Sequence, residues 1–246
     1  MAQLIAKQIT KEYGEKKVLG DVSVEAKEGE IVSVLGVSGV GKTTLFQILS
    51  GLETPTEGCV LLDGEDITAS PGRISYMLQK DLLLPHKKVI DNVALPLVIK
   101  GMSKNEAREK VDNMFSAFGL EGTQLQYPGQ LSGGMRQRVA LLRTYFSSEG
   151  VVLLDEPFSA LDTITKSSMH KWYLEIMEQI KLTTLFITHD IDEAILLSDR
   201  IYILGGSPAA IRAEFVIEES KPRTDIFALS ESFLSYKRNI LQQLNS

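Results

Sequence analysis

Apolar and polar positions alternate over residues 4–13 and again over 21–26, the pattern of strands buried on one face. After Glu28 and Gly29 the pattern changes to a nearly continuous apolar run, 31–35, which predicts a strand buried on both faces. That run enters a glycine-rich loop, and beyond it Leu45, Ile48 and Leu49 recur at helical spacing within 42–50, with Gly51 closing the helix. Three more apolar runs, 151–154, 184–188 and 200–204, are separated by helical stretches and predict a parallel sheet in an α/β fold. From about 85 to 146 the period is mainly helical, over 105–118 and 134–145, punctuated by Gly101, Gly119, Pro128 and Gly129. The expectation is one domain over 1–246, with an α/β core of 1–84 and 147–246 and a helical insertion at 85–146. Residues 231–244 carry an amphipathic pattern through Phe233, Ile240, Leu241 and Leu244, expected to pack on the chain's own core.

The 246 residues are 43% hydrophobic and 24% charged, enough apolar content for a sizeable core. A net charge of −6 leaves no basic surplus for phosphate neutralisation, which argues against nucleic acid as the principal partner. Cys59 is the single cysteine, which excludes an internal disulfide and suits a reducing compartment, the cytoplasm by default. Residues 1–9 alternate and lack the charged start and long apolar stretch of a targeting signal. The most apolar runs, 31–37 and 93–99, fall far short of the roughly 20 residues of a membrane helix, so a membrane role requires a second protein.

Gly36, Val37, Ser38, Gly39, Val40, Gly41, Lys42 and Thr43 fit the phosphate-loop pattern with both its lysine and its hydroxyl, and Thr44 follows in the same binding set. Chance gives this pattern in about one chain of this length per hundred. Its glycines let backbone N–H groups approach phosphate oxygens, Lys42 supplies charge, and Thr43 is a Mg²⁺ ligand. A simple helix-capping turn needs neither the lysine nor the hydroxyl. Downstream, the 151–154 run delivers Asp155 and Glu156 to the end of a buried strand, where adjacent carboxylates are costly without a cation or a reaction. Asp155 is expected to hold the Mg²⁺ shell, and Glu156 to act as general base on the attacking water. His189 follows the 184–188 strand, within reach of a γ-phosphate or that water, although a lone histidine is more often structural.

Residues 131–138 read LSGGMRQR, in which Ser132 caps a helix beginning with Gly133 and Gly134. One nucleotide does not need two anion cradles in a chain, whereas two chains arranged head to tail close each other's sites. With this signature lying between the phosphate loop and the acidic strand, the sequence resembles the ABC ATPase family from Leu4 to about Leu204. The resemblance implies a P-loop cassette with a parallel-sheet core, an antiparallel β subdomain and an inserted helical subdomain. It also implies ATP and Mg²⁺ as cofactors and a head-to-tail dimer on the cytoplasmic side of an integral membrane permease. Gln79 looks like the family's glutamine that senses Mg²⁺ and γ-phosphate, and Tyr13 stands where the family stacks an aromatic on adenine, a core aromatic being its alternative. Asp162 ends the Ser159-Ala160-Leu161-Asp162 segment that crosses the family's dimer interface, and equally suits an N-cap for a helix from Thr163. His189 becomes the family's switch histidine.

Met135, Leu142 and Thr144 depart from the family's usual glutamine and alanines, so a bulkier helix end is expected before Tyr145 and Phe146; Arg143 fits. His86 replaces a frequent aromatic and bears on the permease contact. Residues 156–162 and 188–194 most resemble importers for nitrate, sulfonates, taurine and thiamine precursors, which implies an extracytoplasmic solute-binding protein as well. The alternatives are a soluble ABC ATPase without transport function, an ABC exporter subunit, and a P-loop kinase, which leaves the 131–134 LSGG segment unexplained.

Overall fold

A computed structural model describes residues 2–221, 223 and 225–244 of the chain. In order, the elements are β1 (Leu4–Tyr13), β2 (Lys16–Ala26), β3 (Ile31–Leu35), α1 (Lys42–Leu49), β4 (Glu57–Leu62), β5 (Glu65–Asp66) and β6 (Ser75–Met77). There follow α2 (Val89–Ile99), α3 (Lys104–Asp112), α4 (Gly133–Ser147), β7 (Val151–Asp155), α5 (Thr163–Ile180) and β8 (Thr183–Thr188). The chain continues with α6 (Ile191–Leu197), β9 (Arg200–Gly206), β10 (Ala209–Val216), α7 (Asp225–Ala228) and α8 (Glu231–Leu244). One mixed sheet runs β5-β4-β1-β2-β10-β9-β3-β8-β7-β6. Its β9-β3-β8-β7-β6 half is parallel, and β1, β2, β4 and β5 pair antiparallel.

The continuous apolar runs are the doubly buried strands, and every residue of β3, β7 and β8 is buried. Side chains of β7 alternate between two cores. Val151 and Leu153 join Leu45, Phe46, Ile48 and Leu49 of α1, whereas Val152 and Leu154 face the layer containing α2, α4 and α5. Arg143 on α4 donates to the carbonyls of Leu82 at 2.9 Å and Asp81 at 2.5 Å, fastening the chain after β6 to the helical layer. Fully buried Asn92 does the same for the next loop, accepting from Leu84 N at 2.7 Å and donating to the Leu84, Lys87 and Lys88 carbonyls.

The structure differs from the sequence pattern in places. The helix expected over 105–118 stops at Asp112, and 113–119 run in turns with three-residue bonds such as Phe115 N to Asp112 O and Gly119 N to Ser116 O. Those turns still bury Phe115 and Phe118 at a spacing that reads as helical. Strand β2 begins at Lys16 rather than 21, and β10 has no counterpart in the pattern. The amphipathic helix over 231–244 is α8, but only Phe233 and Ile240 of the four apolar positions are buried, and Leu241 is exposed. The bulky end of α4 is accommodated: Leu142 is buried, the Thr144 hydroxyl donates to Ala140 O at 2.8 Å, and the Tyr145 ring lies 6.3 Å from Phe118.

Candidate active site

Register brings the parallel strands to a common carboxyl edge, since Leu35 pairs with Thr188, Ile187 with Asp155, and Leu154 with Met77. Ligands of open α/β sheets bind outside this edge. Each strand releases one predicted segment there: residues 36–41 after β3, Gln79 after β6, Asp155 and Glu156 at the end of β7, and His189 after β8.

The loop between β3 and α1 depends on its glycines. Gly39 and Gly41 have φ of 78° and 118°, which disfavour a side chain, and a Cβ on Gly36 would lie 2.5 Å from the Leu204 carbonyl oxygen. Val37, Ser38 and Gly39 are exposed, with Val40 half-buried. Helix α1 has no acidic residue in its first turn, so its N-terminal N–H groups meet no competing side-chain anion there. Lys42 is buried, and its Nζ donates to Gly36 O at 2.7 Å and Val37 O at 2.9 Å. Burial pulls the Lys42 ammonium below its ordinary value, opposed by the charges of Glu156 and Asp155. The exposed Thr43 hydroxyl donates across 3.5 Å to Asp155 Oδ2, and Thr44 is half-buried behind it.

Asp155 is 8% exposed and accepts a 3.0 Å hydrogen bond from the Tyr76 hydroxyl. Burial pushes the Asp155 carboxyl above its usual range despite the Tyr76 hydrogen bond, and the neighbouring Glu156 charge adds to the rise. A carboxyl whose folded pKa is raised costs stability at neutral pH, a cost that fades as pH falls through the folded value. Asp155→Asn is therefore expected to raise the melting temperature without nucleotide, checked by calorimetry at pH 7. The same substitution removes the charge that a divalent cation would use.

Glu156 adopts a left-handed backbone with φ of 45°, held by its N–H on Ile187 O at 3.1 Å. Glu156 Oε1 lies 3.2 Å from His189 Nδ1, and Oε2 lies 3.4 Å from Gln79 Nε2. Gln79 also donates to Ser159 Oγ at 3.3 Å, and that hydroxyl donates to Glu156 O at 2.9 Å. Gln79, Glu156, Ser159 and His189 line a cleft of about 730 Å³ whose far wall includes Gly133 and Leu161. Glu156 and His189, expected near the attacking water, and Gln79, expected near Mg²⁺ and γ-phosphate, thus lie side by side.

Ser132 is the N-cap of α4, accepting from Met135 N at 3.3 Å, with Ser132 and Gly133 exposed. Gly134 is buried, and a Cβ there would lie 3.3 Å from Thr165 Cγ2, so its absence lets α4 approach α5. Among the described residues no hydrogen bond joins Ser132, Gly133 or Gly134 to residues 36–43 of the same chain. Asp162 caps α5, accepting from Ile164 N, Thr165 N and the Thr165 hydroxyl, and these hydrogen bonds hold its carboxyl below the usual range. Tyr13 lies at the end of β1, 46% exposed, with Lys11 Nζ 4.8 Å from its ring centroid. Val18 of the same hairpin approaches the phosphate loop, 3.4 Å from where a Gly41 Cβ would be. Sequence patterns did not single out Tyr76, Ser159 Oγ or Val18 as site neighbours.

A glycine loop on a helix start, with a buried lysine and an acidic strand end on the same sheet edge, defines a P-loop nucleoside triphosphatase. Residues 19–159 match the family described as ABC transporter, and the chain belongs to that family. It is 47% identical over 191 residues to the formylaminopyrimidine import ATP-binding protein ThiZ of Halalkalibacterium halodurans, covering 78% of this chain and 74% of that one. It is 38% identical over 239 residues to the aliphatic sulfonates import ATP-binding protein SsuB of Bacillus cereus, covering 97% and 93%. The dimeric structure of a bacterial ABC transporter cassette superposes with a TM-score of 0.74 at 31% identity, covering 88% of this chain and 100% of that one. The same cassette has been solved as a post-hydrolysis dimer bound to ADP and Pi, superposing with a TM-score of 0.73. This chain is accordingly an ATP-binding, ATP-hydrolysing cassette.

Proposed function

We propose that the chain is the motor subunit of an ABC importer, in which ATP binding closes two copies head to tail and hydrolysis reopens them. The observation that carries this reading is the exposed, capped start of α4 at Ser132, an anion-binding end that no hydrogen bond joins to its own chain's phosphate loop. A second copy related by a two-fold axis supplies that end to the first copy's ATP. In this reading Gly36, Val37, Ser38, Gly39, Val40, Gly41, Lys42, Thr43 and Thr44 cradle the phosphates and Tyr13 stacks on adenine. Ser132, Gly133, Gly134 and Asp162 act across the dimer, which agrees with the exposure of Ser132, Gly133 and Asp162.

Mg²⁺ fits the donor set. Thr43 and Asp155 present a hydroxyl and a carboxylate oxygen 3.5 Å apart, the hard donors Mg²⁺ prefers. Among the described residues no cluster of three or more His, Cys, Asp or Glu could hold a metal, which suits an ion shared with nucleotide phosphates rather than caged by protein. Thr43, Asp155 and Gln79 would hold it, and it would neutralise phosphate charge. Glu156 then takes the proton of the attacking water, Gln79 orients that water, and His189 donates toward the γ-phosphate.

Residues 85–146 act as a helical subdomain beside the α/β core, and the Arg143 contacts with 81–82 offer a route from Gln79 to it. No described helix is long and apolar enough to cross a membrane, and passage of the solute falls to a separate integral permease. The import names of the relatives support an importer that also uses an extracytoplasmic solute-binding protein, with the chain peripheral on the cytoplasmic face. The formylaminopyrimidine and aliphatic sulfonates named for the relatives support the importer subgroup that the sequence suggests. Nucleic acid has no part in this assembly. The test is mass spectrometry of proteins retained by tagged Glu156→Gln from gently solubilised native cells with ATP. A polytopic permease is expected; only soluble partners or nucleic acid would favour a non-transport ABC ATPase.

A further inference from the structure

We infer that Lys166 is a positioning residue for hydrolysis, anchoring the His189 loop to the helix that follows the 159–162 segment, through a partly buried polar cluster with Asp190, Glu193 and His170. The inference rests on the reading that Glu156 and His189 serve the γ-phosphate. The His189 side chain is 59% exposed, and its Nδ1 lies 3.2 Å from Glu156 Oε1. Its aim therefore depends on the backbone at 188–190. Asp190, the next residue, fixes that backbone twice: its N–H donates to Thr188 Oγ1 at 3.0 Å, and its carboxylate caps α6 by accepting from Asp192 N and Glu193 N.

Lys166 holds the other oxygen of that carboxylate. Its Nζ lies 2.7 Å from Asp190 Oδ2 and 2.8 Å from Glu193 Oε2. Lys166 sits one turn into α5, its N–H donating to Asp162 O at 2.8 Å. Glu193 is 2% exposed and meets His170 Nε2 at 3.3 Å, and the His170 ring packs edge-on against Phe158 at 4.9 Å. Phe158 is two residues beyond Glu156. One cluster thus joins the continuous 156–166 stretch, which carries Glu156 and Asp162, to the His189 loop, which is distant from it in sequence. Burial opposes the charge on Lys166, yet the two carboxylates hold its ammonium above the ordinary lysine value; burial likewise opposes the charge on Asp190, which Lys166 holds below the usual carboxylate range. A partly exposed pair such as Lys166–Asp190 adds little stability, and burying the Glu193 carboxylate costs desolvation, so fixed geometry is the use that accounts for the cluster.

The test compares steady-state ATPase of the full chain carrying Lys166→Met, Lys166→Arg, Lys166→Met with Glu193→Gln, and His189→Ala. Lys166→Met is expected to lower kcat at least about tenfold while KM for ATP stays within about twofold, because ground-state binding does not use the cluster. Lys166→Arg should restore turnover to within about threefold, since it keeps the cation. The double variant removes the uncompensated Glu193 charge, and should melt near the wild type yet remain slow. Turnover of Lys166→Met within about twofold of wild type, or full recovery of kcat in the double variant, would reduce the cluster to charge balance and overturn the inference. Full turnover in His189→Ala would instead bring down the reading beneath it.

Discussion

Glu156→Gln protein is expected to bind ATP with unchanged affinity and to hydrolyse it at least about a hundredfold more slowly than wild type, the loss that follows when a general base is removed. The substitution is isosteric, and the groups around the carboxylate explain the split between binding and turnover. Gln79 donates toward Oε2 at 3.4 Å and His189 Nδ1 approaches Oε1 at 3.2 Å, so a glutamine keeps a hydrogen-bonded place in the cleft. What it loses is a proton acceptor. The backbone strain at φ of 45° is retained, because the β7 end and the Ile187 contact impose it. Equilibrium binding of a fluorescent ATP analogue beside single-turnover hydrolysis separates the two effects. Turnover near the wild-type rate would remove Glu156 from the base role.

Lys42→Ala acts on binding instead, weakening ATP affinity by at least about tenfold, the loss expected for a charge-assisted hydrogen bond of roughly 1.5–3 kcal/mol. The ammonium is buried at the mouth of the loop and already stands among oxygens, 2.7 Å from Gly36 O and 2.9 Å from Val37 O. A phosphate oxygen offers a formal negative charge where those carbonyls offer only dipoles. Burial lowers the lysine's pKa, and a phosphate beside it would oppose that shift. Isothermal titration with ATP checks the prediction, and an affinity equal to wild type would show that the loop binds phosphate without its lysine.

Much of this site is legible in the sequence because its carriers are local. Strand, glycine loop, lysine and hydroxyl are contiguous in 31–43, and the doubly buried strands announce themselves as unbroken apolar runs. Asp155 and Glu156 are legible for the same reason. The pairings across the sheet are not local. Tyr76 reaches Asp155 only because Tyr76 pairs with Leu153 in the β6–β7 register, and Lys166 meets Asp190 across 24 residues. Strand β10 escaped notice because its half-exposed alternation in 209–216 follows a segment ending in Gly205 and Gly206, with no apolar run to mark it. Helix α3 was read too long because Phe115 and Phe118 are buried by successive turns at the same spacing a helix would use. Asp162 was readable as an N-cap, a local device; any part it plays across a dimer lies outside one chain's pattern.

If one chain's Ser132 end closes over another chain's ATP, the mass of Glu156→Gln protein in solution depends on ATP and Mg²⁺. Light scattering is predicted to give twice the mass of one chain with ATP and a single chain without it. Adding Ser132→Arg, which places a bulky cation at the exposed helix start, is predicted to return the mass to one chain while ATP still binds. A single-chain mass for Glu156→Gln at saturating ATP would contradict the account.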